Sequence, residues 1–82
     1  MKIAIRYFAS VREALGSGET VDTQAATLAA LRDELIARGA PHATALARGR
    51  AVRMALDQAM SVESAALHDG CEVAFFPPVT GG

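Results

Sequence analysis

The sequence predicts a small α+β domain: a mixed β-sheet covered on one face by a main helix, with a flexible C-terminal diglycine tail. Strand-like runs stand near both ends of the chain, Lys2–Phe8 and Cys71–Phe76, and hold most of its aromatic and β-branched residues. Between them lies one clearly amphipathic helical stretch. After Phe76 come Pro77 and Pro78, which fix φ and withhold two N–H donors, so sheet pairing should stop there. These limits divide the chain into a domain over 1–76 and an extended tail over 77–82.

The elements follow in order. Lys2–Phe8 alternates in part, with Ile3, Ile5 and Tyr7 set against Lys2, Ala4 and Arg6, as a half-buried strand does. Ser10 is the expected cap of a short helical turn over Val11–Leu15, with Glu13 completing a capping box. Gly16-Ser17-Gly18 then turns the chain into a second strand, Glu19–Thr23. Thr27 is the expected N-cap of the main helix, Leu28–Arg38, which Gly39 ends. Leu28, Leu31, Leu35 and Ile36 mark its apolar face, while Arg32, Asp33 and Arg38 are expected to face away.

Pro41 opens another short helical stretch through Ala47. A third strand, Val52–Ala55, turns near Asp57-Gln58 into a short strand, Ala59–Ser61. The turn Leu67-His68-Asp69-Gly70 delivers the chain into Cys71–Phe76. One helix covers only one face of such a sheet. A helical crossover between the first hairpin and the later strands gives a β-grasp arrangement, with the terminal strands parallel at the centre.

Composition narrows the functional classes. The 82 residues make one domain, near the lower end of what folds without staples. A hydrophobic content of 51% with 21% charged residues fits an ordinary globule and excludes disordered and fibrous classes. One cysteine cannot build an intrachain disulfide framework, so a reducing, cytoplasmic setting is expected. The N-terminal segment has charges too early for a secretory signal, and no apolar run suits a membrane span. Net charge is −1 with scattered Lys and Arg, which leaves nucleic acid no electrostatic footprint.

The tail carries the chemical signal. Gly81 and Gly82 lack Cβ atoms, so they and the Gly82 carboxylate form the thinnest thread a polypeptide offers. Six extended residues reach at most about 20 Å, enough to bring a carboxylate into a pocket on another protein. An unactivated carboxylate is a poor electrophile, and an acyl-adenylate is the obvious activated form. A plain flexible end is the bland alternative.

The run Asp69-Gly70-Cys71-Glu72-Val73-Ala74-Phe75-Phe76-Pro77-Pro78-Val79-Thr80-Gly81-Gly82 resembles the C-terminus of the small subunits of molybdopterin synthases. These are ubiquitin-like sulfur carriers of molybdenum cofactor biosynthesis. Tyr7-Phe8-Ala9 and Val11-Arg12-Glu13 match the same pattern, and length and element order agree over essentially the whole chain. The segment from Ala40 to Met60 is the least specific part.

The resemblance implies a non-catalytic, sulfur-donating subunit of a heterotetrameric synthase whose catalytic residues lie in the large subunit. Gly82 would be adenylated by an ATP-dependent activating enzyme and converted to a thiocarboxylate. It would then donate sulfur to a cyclic pyranopterin precursor, building the molybdopterin dithiolene. Gly81 would fit the narrow channel, and Phe8, Met60 and Phe76, with Pro77, Pro78, Val79 and Thr80, would contact partners. No bound cofactor or metal is implied; ATP belongs to the activating enzyme. Two other uses of the same activation stay open: conjugation of Gly82 to lysines as a protein modifier, and sulfur delivery to another product such as a thiazole.

Rival sites are weaker. Cys71 is the natural site for a persulfide, yet no neighbour in sequence marks it as a low-pKa thiol, and it reads as a small strand residue. His42 and His68 lack zinc-site spacing. Arg12 and Glu13 read as a solvated helical face. Gly16-Ser17-Gly18 lacks the phosphate-loop pattern and precedes a strand. Phe75 and Phe76 are adjacent on one strand and must point to opposite faces, so one should stand outside the core.

Overall fold

The computed structural model describes residues 1–78. Its sheet is built by period-two alternation. β1 (Lys2–Tyr7) buries Ile3, Ile5 and Tyr7 and exposes Lys2, Ala4 and Arg6. β2 (Gly18–Asp22), β3 (Arg53–Leu56), β4 (Ala59–Ser61) and β5 (Glu72–Phe76) complete a five-stranded sheet ordered β2-β1-β5-β3-β4. β1 and β5 run parallel at its centre, and every other pairing is antiparallel. The β-grasp arrangement expected from element order is the one observed.

Two turns fix the register. Asp57 and Gln58 take positive φ of 49° and 69°, as the two-residue turns matching strand twist require. Asp69 Oδ1 accepts the Lys2 amide at 2.7 Å, and the Gly70 amide donates to the Lys2 carbonyl at 2.8 Å. The loop entering β5 is thereby tied to the start of β1.

Three helices lie on the other side. α1 (Ala9–Leu15) departs from the expected start: Phe8 is its N-cap, without a side-chain cap, and Ser10 caps nothing. The cause lies in the sheet. The Phe8 amide still bonds the Phe75 carbonyl at 3.1 Å, so the chain stays attached to β5 one residue past β1. Ala9, at φ 52°, then turns it abruptly, and the Phe8 carbonyl accepts the amides of Val11 and Arg12.

α2 (Leu28–Ile36) is capped as expected, Thr27 accepting the Ala30 amide at 3.2 Å. Leu28, Leu31 and Leu35 face the sheet. Arg32 does not face away; it is buried at 4% exposure. It stands four residues after Leu28 and three before Leu35, so helical spacing carries it to the edge of the buried face. The end of α3 (His42–Leu46) needs it there, because the last carbonyls of a helix have no partner within it. Arg32 Nε donates to the Leu46 carbonyl at 2.8 Å and Nη2 to the Ala47 carbonyl at 2.8 Å, while Nη1 pairs with Glu63 at 3.2 Å.

The core lies between α2 and the sheet, where Ile3, Ile5, Leu28, Leu31, Leu35, Leu46, Val73 and Phe75 are almost fully buried. Each such side chain contributes about 1.5–3 kcal/mol by leaving water. Tyr7 stacks on Phe75 with ring centroids 6.2 Å apart. Its hydroxyl donates to Glu19 at 2.9 Å, and Arg38 donates to the other carboxylate oxygen at 2.7 Å. Burial, then the Glu19 contact, holds the Tyr7 hydroxyl well above the usual phenol range. Burial pushes Glu19 upward, but hydrogen bonds from Arg38, Tyr7 and His42 outweigh it and hold the carboxyl below its ordinary value.

Candidate functional site

The root of the tail is where the expected site residues converge. β5 ends at Phe76, as the prolines require, and Pro77 and Pro78 follow half-buried. Alternation along β5 buries Val73 and Phe75 against the helices and turns Glu72, Ala74 and Phe76 to the open face of the sheet. Of the adjacent phenylalanines, Phe75 is the core residue and Phe76 stands outside the core, half-buried.

Phe8, Met60 and Phe76 come from three different elements, and the sheet order brings them round one shallow hollow of about 380 Å³. Phe8 is 40% exposed and Met60 64% exposed, both unusual for large apolar side chains. Ala55 and Ala74 are paired across β3 and β5 and line the same hollow, so small side chains keep its centre low. Arg6, Gln58 and Glu72 supply the polar lining. Arg6 lies over the Phe8 ring at 5.7 Å and reaches Glu72 at 3.8 Å. The two alanines and Arg6 were not among the residues singled out from sequence; strand alternation carried the signal for them.

Val79, Thr80, Gly81 and Gly82 lie outside the described residues. Arg12 and Glu13 are exposed on α1. Cys71 is a free, fully buried thiol at the entrance to β5, where its carbonyl accepts the Ala4 amide at 3.0 Å. A persulfide there would have no access to a substrate. His42 and His68 are not brought together: His42 sits beside Tyr7 and Glu19, whereas His68 pairs with Asp57 at 2.8 Å. Among the described residues, no group of three or more His, Cys, Asp or Glu stands where it could hold a metal ion. No helix of the described residues is long and apolar enough to cross a membrane.

The β-grasp domain is shared with known proteins. The sequence model of the ThiS family matches residues 5–82. The chain belongs to the ThiS family. Within reach of this ThiS-family chain is the molybdopterin synthase sulfur carrier subunit of Escherichia coli, 42% identical over 81 residues and matched over 98% of this chain and 99% of that protein. The protein of the same name from Haemophilus influenzae is 37% identical over 79 residues, covering 95% and 96% of the two chains. The crystal structure of SAMP1 from Haloferax volcanii superposes with a TM-score of 0.76 at 26% identity, over the full length of both chains.

Proposed function

We propose that this chain is the sulfur-carrier subunit of a molybdopterin synthase. The observation that carries the reading is the near full-length identity to two proteins bearing that name, within a family match that extends to Gly82. The Gly82 carboxylate attacks the α-phosphate of ATP on an activating enzyme, releasing pyrophosphate and leaving an acyl-adenylate. A sulfur donor displaces AMP to give the thiocarboxylate. In the large subunit the thiocarboxylate sulfur attacks a side-chain carbon of the cyclic pyranopterin precursor and displaces the oxygen substituent that carbon carries. Water then cleaves the resulting thioester, leaving the sulfur on the pterin and a carboxylate on Gly82.

The carrier itself is non-catalytic in this reading: general acids and bases reside in its partners. Gly81 keeps the thread narrow enough for a channel. Pro77, Pro78, Val79 and Thr80 span the distance from the sheet, and Phe8, Met60 and Phe76 form the apolar docking contact. The buried Cys71 supports placing the sulfur on Gly82 and not on a thiol. In this reading the protein works in the cytoplasm, where the activating enzyme consumes ATP.

Intact mass spectrometry of protein isolated from its own host tests this directly. The loaded form should be heavier by the mass difference between sulfur and oxygen, with the change mapping to Gly82. Deleting Gly82 should abolish molybdopterin production in a complementation assay; survival of synthesis would sink the reading. Lysine-linked high-mass conjugates in place of the loaded form would assign the tail to protein modification.

A further inference from the structure

The tail root has a second side. Phe76 faces the open sheet, whereas Pro77 helps line a different hollow of about 290 Å³ between α1 and α3. Val11, Ala14, Pro41, Ala45 and Val52 give it an apolar wall, and Arg50 stands in its lining. Arg50 is exposed and has no carboxylate within 4.0 Å among the described residues. Arg38 and Arg48 of the helical layer are occupied, Arg38 holding Glu19 and Arg48 holding Asp33 and Glu63. Arg12, exposed on α1, shares with Arg50 the lack of a carboxylate partner among the described residues but does not line the hollow.

The Arg50 backbone, in contrast, is fixed. Its amide donates to the Ala47 carbonyl at 2.8 Å, and its carbonyl accepts from the buried Arg32 at 3.4 Å. A guanidinium without a carboxylate partner among the described residues, presented by an anchored turn at an apolar hollow beside the start of the tail, is a prepared contact. It lacks only an apolar group flanked by negative charge.

We propose that the hollow between α1 and α3 is a second docking site, separate from the Phe8–Met60–Phe76 surface. Its occupant is a protein segment presenting an apolar side chain beside a carboxylate, carried by a partner that takes up the tail. The apolar group fills the hollow and the carboxylate pairs with Arg50. A partner holding both sides of the tail root fixes the direction in which the thread leaves the domain. The proposal rests on the carrier reading for the existence of tail-binding partners.

The test uses the full chain with the purified large subunit and, separately, the purified activating enzyme, each titrated by calorimetry. Arg50→Glu, at an exposed position, should leave thermal unfolding unchanged yet weaken binding to at least one partner by about tenfold or more. Ala14→Phe, which fills the hollow from the α1 wall, should weaken the same complex. Lys2→Glu makes the same change in net charge at the distant start of β1 and should leave affinity unchanged. Unaltered affinity of Arg50→Glu for both partners would overturn the proposal. So would an equal loss in Lys2→Glu, which would reduce the effect to long-range charge. If Gly82 accepts sulfur while Arg50→Glu binds normally, this inference falls and the carrier reading stands.

Discussion

At the scale of single residues, Arg32 and His68 are informative for opposite reasons. Arg32 is a buried charge that satisfies the carbonyls of Leu46 and Ala47 and pairs with Glu63. Arg32→Met keeps most of the volume but leaves those acceptors dry. It should cost at least about 1–3 kcal/mol, the penalty for a buried group left unsatisfied. Chemical denaturation would check this, and a loss near zero would show that water replaces the guanidinium. His68 lies at the surface, and its hydrogen bond to Asp57, followed by the Asp69 carbonyl, raises its pKa above 6.5. Asp57 is lowered from 3.8, first by the Glu72 amide and then by His68. The raised His68 favours the fold at pH below 6.5 and loses that contribution as pH climbs through its folded value. The lowered Asp57 contributes above 3.8 and is lost as pH falls through its own folded value. The pair therefore acts in the mildly acidic window between them. An NMR titration should place His68 above its ordinary value and show it falling back in Asp57→Asn, where the amide oxygen still accepts the Glu72 N–H.

At the scale of elements, β2 depends on a glycine that faces backbone. A Cβ on Gly18 would lie 2.3 Å from the Ile5 carbonyl oxygen, at a φ of +157°, and backbone cannot move aside as a flexible side chain can. Gly18→Ala should loosen the β1–β2 pairing and cost about 1–3 kcal/mol, the usual penalty of overpacking. Hydrogen exchange of β1 and β2 amides would locate the damage; unchanged protection would refute it. The sequence pattern made most elements legible. Ile3, Ile5 and Tyr7 announce β1, and Thr27 announces the start of α2. What stayed hidden depended on contacts far along the chain. Ser10 had the right side chain for a cap, but the Phe8 amide was already committed to β5 sixty-odd positions away, an interaction no local pattern encodes. Arg32 read as a solvated charge because the carbonyls that claim it belong to α3. The tail motif, by contrast, is contiguous, and so the candidate site could be read more fully than the packing that supports it. Ala55 and Ala74 escaped notice because a small residue announces nothing until its larger neighbours are placed around it.

At the scale of the whole molecule, helices cover one face of the sheet and leave the other open, and three exposed or half-buried apolar residues, Phe8, Met60 and Phe76, gather round one hollow on it. Met60 is the cleanest probe of that surface, since at 64% exposure it contributes little to the core. Met60→Asp should leave the melting temperature nearly unchanged and weaken binding to the large subunit by about 2 kcal/mol or more, as expected for an apolar anchor at a desolvated centre. Undiminished affinity measured by calorimetry would remove the open face from the docking contact.

The parallel pairing of β1 and β5 has a mechanical consequence. Because β5 is flanked by β1 on one side and β3 on the other, tension along the tail is shared by two hydrogen-bond ladders loaded in shear. A strand at the sheet's edge would bring only one ladder to bear. In the carrier reading, withdrawing the tail from a partner would therefore load both ladders together, and the sheet should stay paired.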